Sequence, residues 1–179
     1  MTEKVMWQQV AAIIIERGVQ KKIEVTRSIL SRLVALVNFR WMVEKETPLV
    51  DEVTMEAWSN GMTSRLTWSY YHHIFDPLTE KNYPVYIELG DWEVKERRII
   101  GPNELPTELK EWIIQTVDPW LECSKNYSVY GFNEKIKEKD YLYKKYAEEI
   151  RKGKIVYYNV IEVMQLVDEY PEMRKLWEI

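Results

Sequence analysis

His72 and His73 are the two histidines of this 179-residue chain, and Cys123 is its one cysteine. These are the side chains best able to bind a metal or attack a substrate. Adjacent residues on a helix point about 100° apart, so the histidine pair cannot form one ligand face. Zinc sites ask for histidines at i and i+4, or for thiolate partners, and a lone cysteine supplies none. Cys123 and His72 could in principle form a nucleophile and base. Cys123 follows Trp120, Leu121 and Glu122, with no basic or glycine-rich setting to stabilise a thiolate, so it reads as an inert, buried thiol. The six glycines are scattered, and no phosphate-cradling loop, nucleophile elbow or zinc-protease motif is present. Carboxylates are plentiful, but no spacing isolates an acid/base pair. The residues predict no catalytic constellation, no metal and no cofactor.

The remaining residues with binding chemistry are aromatic. Twelve tyrosines and eight tryptophans accompany only three phenylalanines, and Tyr and Trp combine a large apolar body with a polar tip. They also dominate binding hot spots. Tyr141, Tyr143 and Tyr146 alternate with lysines between Phe132 and Lys154, a pattern that could follow a nucleic-acid backbone. Glu134, Glu138, Asp140, Glu148 and Glu149 sit among those lysines and cancel much of their field. Net charge is −4, which also disfavours nucleic acid. One cysteine excludes an intrachain disulfide and fits a reducing, cytoplasmic setting. The apolar run Val10–Ile15 is too short for a membrane span or signal segment.

The elements that must position these residues are mainly helical, within one domain over 1–179. A first helix is expected from a cap at Thr2 to a stop at Gly18, with Gln20, Lys21 and Lys22 as a charged connector. Thr26 caps a second helix running to about Glu44, apolar almost all round, which predicts a central buried helix. Thr47-Pro48 stops it. Glu56, Ala57 and Trp58 read as a short extended segment and Asn60-Gly61 as a turn. A helix from Thr63 carries Leu66, Tyr70, Tyr71 and Ile74 on one side. Alternation from Tyr83 to Leu89 and again from Trp92 predicts a β-hairpin at about 83–98. Later helices are expected from about Pro106 with a break or kink at Pro119, over 128–137, over 140–152, and from a cap at Asn159 to Tyr170 with Ile161, Met164 and Val167 on one face. Pro171 starts a last turn. The fold class is α+β, mainly α, around one buried helix.

One stretch resembles a known family. Thr26, Leu30, Leu33, Val34, Phe39 and Trp41 are followed by Thr47-Pro48-Leu49. Then come Glu56-Ala57-Trp58-Ser59-Asn60-Gly61, Tyr70-Tyr71 and the closing GKIVYYNVIEVM. The pattern resembles the SocA-like, or Panacea, antitoxin-associated domain. The resemblance covers most of the chain and is most specific from Thr26 to Tyr71. It implies a non-enzymatic, phage- or prophage-borne module that neutralises a cognate toxin by direct binding, with phage anti-defence or nucleic-acid regulation as the alternatives. Glu56, Ala57, Trp58 and Gly61 are its fold motif. Trp58, Tyr70, Tyr71, His72, Tyr141 and Tyr143 are the candidate partner-binding residues. The negative net charge favours a basic partner.

Overall fold

A computed structural model describes residues 5–50, 55–71, 85–90, 93–99 and 105–178; for Tyr70 and the strands at 85–90 and 93–99 it describes the backbone. Among these residues lie eight α-helices, a three-stranded antiparallel sheet and a separate two-stranded hairpin. The chain is therefore mainly α, as its periodicity predicts.

The core is organised by α2 (Arg27–Lys45). Thr26 Oγ1 accepts from the Ile29 N–H at its start, at 3.3 Å, satisfying one of the free first-turn donors. Ile29 to Phe39 are buried without interruption. Full burial of each Leu or Ile contributes roughly 1.5–3 kcal/mol, so this helix carries much of the hydrophobic stabilisation. Its end comes at Glu46, in the left-handed region at φ 55°.

Helix α1 (Trp7–Lys21) packs against α2 and α4 (Thr107–Ser124). Its start is Met6, whose N–H donates to Gln9 Oε1 at 2.9 Å; Thr2 lies outside the described residues. Gly18 does not stop the helix. It lies inside, where an added Cβ would overlap Val25 Cγ2 and come within 3.0 Å of Ile23 O. Its glycine serves a close approach rather than a turn, and Lys22 takes the left-handed end position. Arg17 clamps α1 to α4 by a bidentate pair with Asp118, Nε to Oδ1 at 2.8 Å and Nη2 to Oδ2 at 2.6 Å. Pro119 does not break α4, which continues to Ser124.

Strands β1 (Met55–Trp58) and β2 (Gly61–Ser64) form a hairpin over α2, with Trp58 opposite Gly61. The expected helix at Thr63 begins later: Ser64 caps α3 (Arg65–Tyr70), because Gly61–Ser64 pairs as a strand. Ile74 and the histidine pair lie outside the described residues. The hairpin β3 (Val85–Gly90) and β4 (Glu93–Ile99) falls where alternation places it, with its backbone near α1.

Helix α5 (Val129–Lys139) is capped by Ser128, whose Oγ accepts from the Gly131 N–H. The expected single helix over 140–152 is two, α6 (Tyr141–Lys145) and α7 (Ala147–Arg151), broken at Tyr146. Strand β5 (Val156–Tyr157) then joins the free edge of β1, giving the order β2-β1-β5. Helix α8 (Val160–Glu169), capped by Asn159, buries Val163, Leu166 and Val167. Ile161 is the exception to the expected face: it is 70% exposed and points away from the core. A short 3-10 helix (Pro171–Lys175) closes the described chain.

Candidate functional site

Two features gather polar and aromatic chemistry. The first is a fully buried hub of Arg32, Asp140 and Tyr158. The Tyr158 hydroxyl donates to Asp140 Oδ2, and backbone N–H groups of Met62, Leu142 and Tyr143 also serve the Asp140 carboxylate. Burial raises the Asp140 and Tyr158 pKa values, the first against the pull of those donors. Arg32 Nε donates to Asn60 O at 3.1 Å and Nη1 to Thr63 Oγ1. Burial lowers the guanidinium pKa to about 10. None of the three reaches solvent, so the hub joins α2, the β1–β2 hairpin and the chain around α6 and β5 without meeting a substrate.

The second is the outer side of the small sheet. Glu56 is buried on β1, yet its carboxylate is fully engaged: Trp58 Nε1 donates to Oε2 at 2.6 Å and Arg65 Nη1 to Oε1 at 3.0 Å. A buried carboxylate needs such partners. The arrangement fixes the half-buried Trp58 indole at the surface. Trp68 meets it edge-on at 5.6 Å, and the Arg27 guanidinium lies 4.3 Å above the Trp68 ring. Register places Tyr157 opposite Glu56, and Ile155 immediately precedes the strand. Tyr157 and Ile155 are each 46% exposed. The result is an aromatic and aliphatic face in a rigid frame, with Arg27 and Arg65 on its flank.

The candidate partner-binding residues divide. Trp58 lies on this face. Tyr71 is half-buried, its hydroxyl pKa raised by burial beside Glu24 and Arg27. Tyr143 belongs to the neighbourhood through Lys137, whose Nζ donates to Ser59 O at 3.3 Å and sits 5.1 Å from the Tyr143 ring centre. Tyr141 does not belong to it. Its ring stacks on Tyr170 at 4.6 Å, beside a groove of about 460 Å³ lined by Glu138, Lys139, Glu172 and Lys175. His72 and the Tyr70 side chain lie outside what is described. Of the fold motif, Glu56, Ala57 and Gly61 are buried. Gly61 turns the hairpin at φ 96°, with Lys137 Cγ 3.2 Å from where a Cβ would stand.

Ile155, Tyr157 and Ile161 were not legible as surface contributors. The signal was the run Ile155-Val156-Tyr157 between Gly153 and Asn159, a β-branched and aromatic stretch between two turn formers. Cys123 is half-buried rather than fully buried, and burial pushes its thiol pKa up against Lys135 and Lys139. Among the described residues no group of three His, Cys, Asp or Glu could hold a metal, and no helix is long and apolar enough to cross a membrane. No family model, curated protein or solved structure matches the chain.

Proposed function

We propose that this chain is a non-enzymatic protein-binding module that neutralises a toxin, or a host defence factor, by direct contact through the outer face of its small sheet. The observation that carries the proposal is the Trp58 indole, held half-exposed by Glu56 and Trp68. Binding by occlusion needs a preorganised surface rather than reacting groups, and rigid aromatic anchors lose little entropy on docking. The resemblance of Glu56 to Gly61 and its surroundings to the Panacea pattern supports the same reading, and phage-borne carriage follows from it. Nucleic-acid binding has less support. Three of the lysines that would carry it are committed to carboxylates: Lys135 to Glu138 and Lys145 to Glu169, each at 3.0 Å, and Lys137 to Glu134.

The test is co-expression with the products of adjacent genes, read by pull-down and by rescue of growth. The expected result is capture of one product and rescue of its toxicity, both lost in Trp58→Ala. Capture and rescue undiminished in a folded Trp58→Ala protein would remove this face from the mechanism. No capture and no rescue would remove the function.

A further inference from the structure

The loop between β1 and β2, Ser59 and Asn60, follows directly on Trp58. Two-residue hairpin loops favour positive φ at the first or at both loop positions. Ser59 and Asn60 have neither: among the described residues only Lys22 and Glu46 join the glycines at positive φ. The left-handed position falls instead on Gly61, at φ 96°. Local conformation alone therefore does not fix how the loop leaves Trp58.

Side-chain donors from outside the loop fix it. Lys137 Nζ on α5 donates to Ser59 O at 3.3 Å. Arg32 Nε on α2 donates to Asn60 O at 3.1 Å. Thr63 Oγ1 donates to Gly61 O at 3.2 Å while it accepts from Arg32 Nη1. The consecutive carbonyls of 59, 60 and 61 are thus each held by a side chain. Neither cation is placed to meet a partner. Arg32 is completely buried. The Lys137 side chain is 14% exposed, its Nζ is shared with Glu134, and its stem lies against Gly61. Arg32 Nη2 is buried and has no hydrogen-bond partner. A buried cation that is incompletely bonded lowers stability.

We propose that Arg32 and Lys137 are positioning residues for partner binding: through the carbonyls of 59–61 they hold Trp58 in its docking orientation, and they touch no partner themselves. An anchor fixed before docking has less freedom to lose on association. That gives a buried arginine a role although its burial opposes stability. The proposal rests on the protein-binding reading and places two further residues beneath its face.

The experiment follows indole N–H exchange with solvent by NMR in the full chain, nitrogen-labelled at tryptophan, with the Trp58 signal assigned by its loss in Trp58→Phe. Lys137→Met keeps most of the stem and removes the donor. It is expected to speed Trp58 N–H exchange at least about tenfold and to lower the melting temperature by no more than about 4 °C. The Trp120 N–H, which donates to Leu176 O at 3.0 Å, is the internal control and should keep its rate. Lys137→Arg restores a donor and should restore the Trp58 rate. Arg32→Met should act in the same direction, and Lys137→Met carries the test if Arg32→Met fails to fold. Capture of an adjacent gene's product should weaken by roughly tenfold in Lys137→Met and recover in Lys137→Arg. An unchanged Trp58 rate in Lys137→Met, no recovery with Lys137→Arg, or Trp58 and Trp120 rates rising together overturns the proposal. Undiminished capture alongside a faster Trp58 rate overturns the positioning role and leaves the protein-binding function standing. A faster Trp58 rate with no product captured by the native protein supports the clamp and counts against toxin neutralisation.

Discussion

The Tyr158 hydroxyl donates to the Asp140 carboxylate where both side chains are completely shielded from water, although they stand on either side of α6 and α7 in the chain. Asp140 caps α6 at Tyr143 N, at 3.0 Å, while receiving Met62 N–H from β2. One carboxylate thus pins the sheet that carries Trp58 to the C-terminal helices.

Removing that carboxylate leaves several buried donors without an acceptor. Asp140→Ala is expected to cost about 3 kcal/mol in chemical denaturation. Asp140→Asn keeps one carbonyl acceptor and should lose distinctly less. Equal losses in the two variants would mean that the hydrogen bonds are not what holds the junction.

Trp58 can be separated from its anchor. Trp58→Phe removes the N–H that Glu56 accepts but keeps an aromatic ring, so it should weaken partner capture less than Trp58→Ala, for which a loss of about 2 kcal/mol is expected. Thermal unfolding of both variants, alongside capture, checks that the loss lies in binding.

Gly18→Ala tests the close crossing of α1 and the segment before α2. The new methyl would overlap Val25 Cγ2, and overpacking typically costs 1–3 kcal/mol, of order 2 kcal/mol here. If Gly18 merely ended a helix, alanine would be neutral or stabilising. Adding Val25→Ala to Gly18→Ala should recover part of the loss.

Glu122 makes stability depend on acid. Hydrogen bonds from Lys125 and Lys21 hold its pKa down to about 2, from an ordinary 4.5. A carboxylate depressed in the folded state contributes stability that is present above the unfolded value and lost as pH falls through the folded one. The melting temperature should therefore decline between about pH 4.5 and pH 2. Because these side chains are exposed, added salt should shrink this contribution. Lys21→Ala with Lys125→Ala should flatten that part of the profile.

Local pattern alone determined the mainly helical class, the caps Thr26 and Asn159, the turn at Gly61 and the hairpin at about 83–98. Each depends on neighbours in the chain: a hydroxyl or amide reaching the third N–H, or a glycine free to adopt positive φ. Helix ends were less legible where a residue has two uses. Gly18 reads as a stop because glycine ends helices, whereas its lack of a Cβ admits Val25. Pro119 predicts a break or a kink, and packing carries α4 through it without a break.

The tertiary structure decided the rest. The outer face of the sheet draws Trp58 from β1, Trp68 from α3 and Tyr157 from β5, segments whose adjacency follows only from strand pairing far along the chain. No period in the sequence records a partner so distant, because local patterning reports which side of an element is apolar and not what covers it. For the same reason Ile161 fits the apolar face of α8 by type but lies exposed. Asp140, one carboxylate among many, became the buried junction because β2 and Tyr158 converge on it.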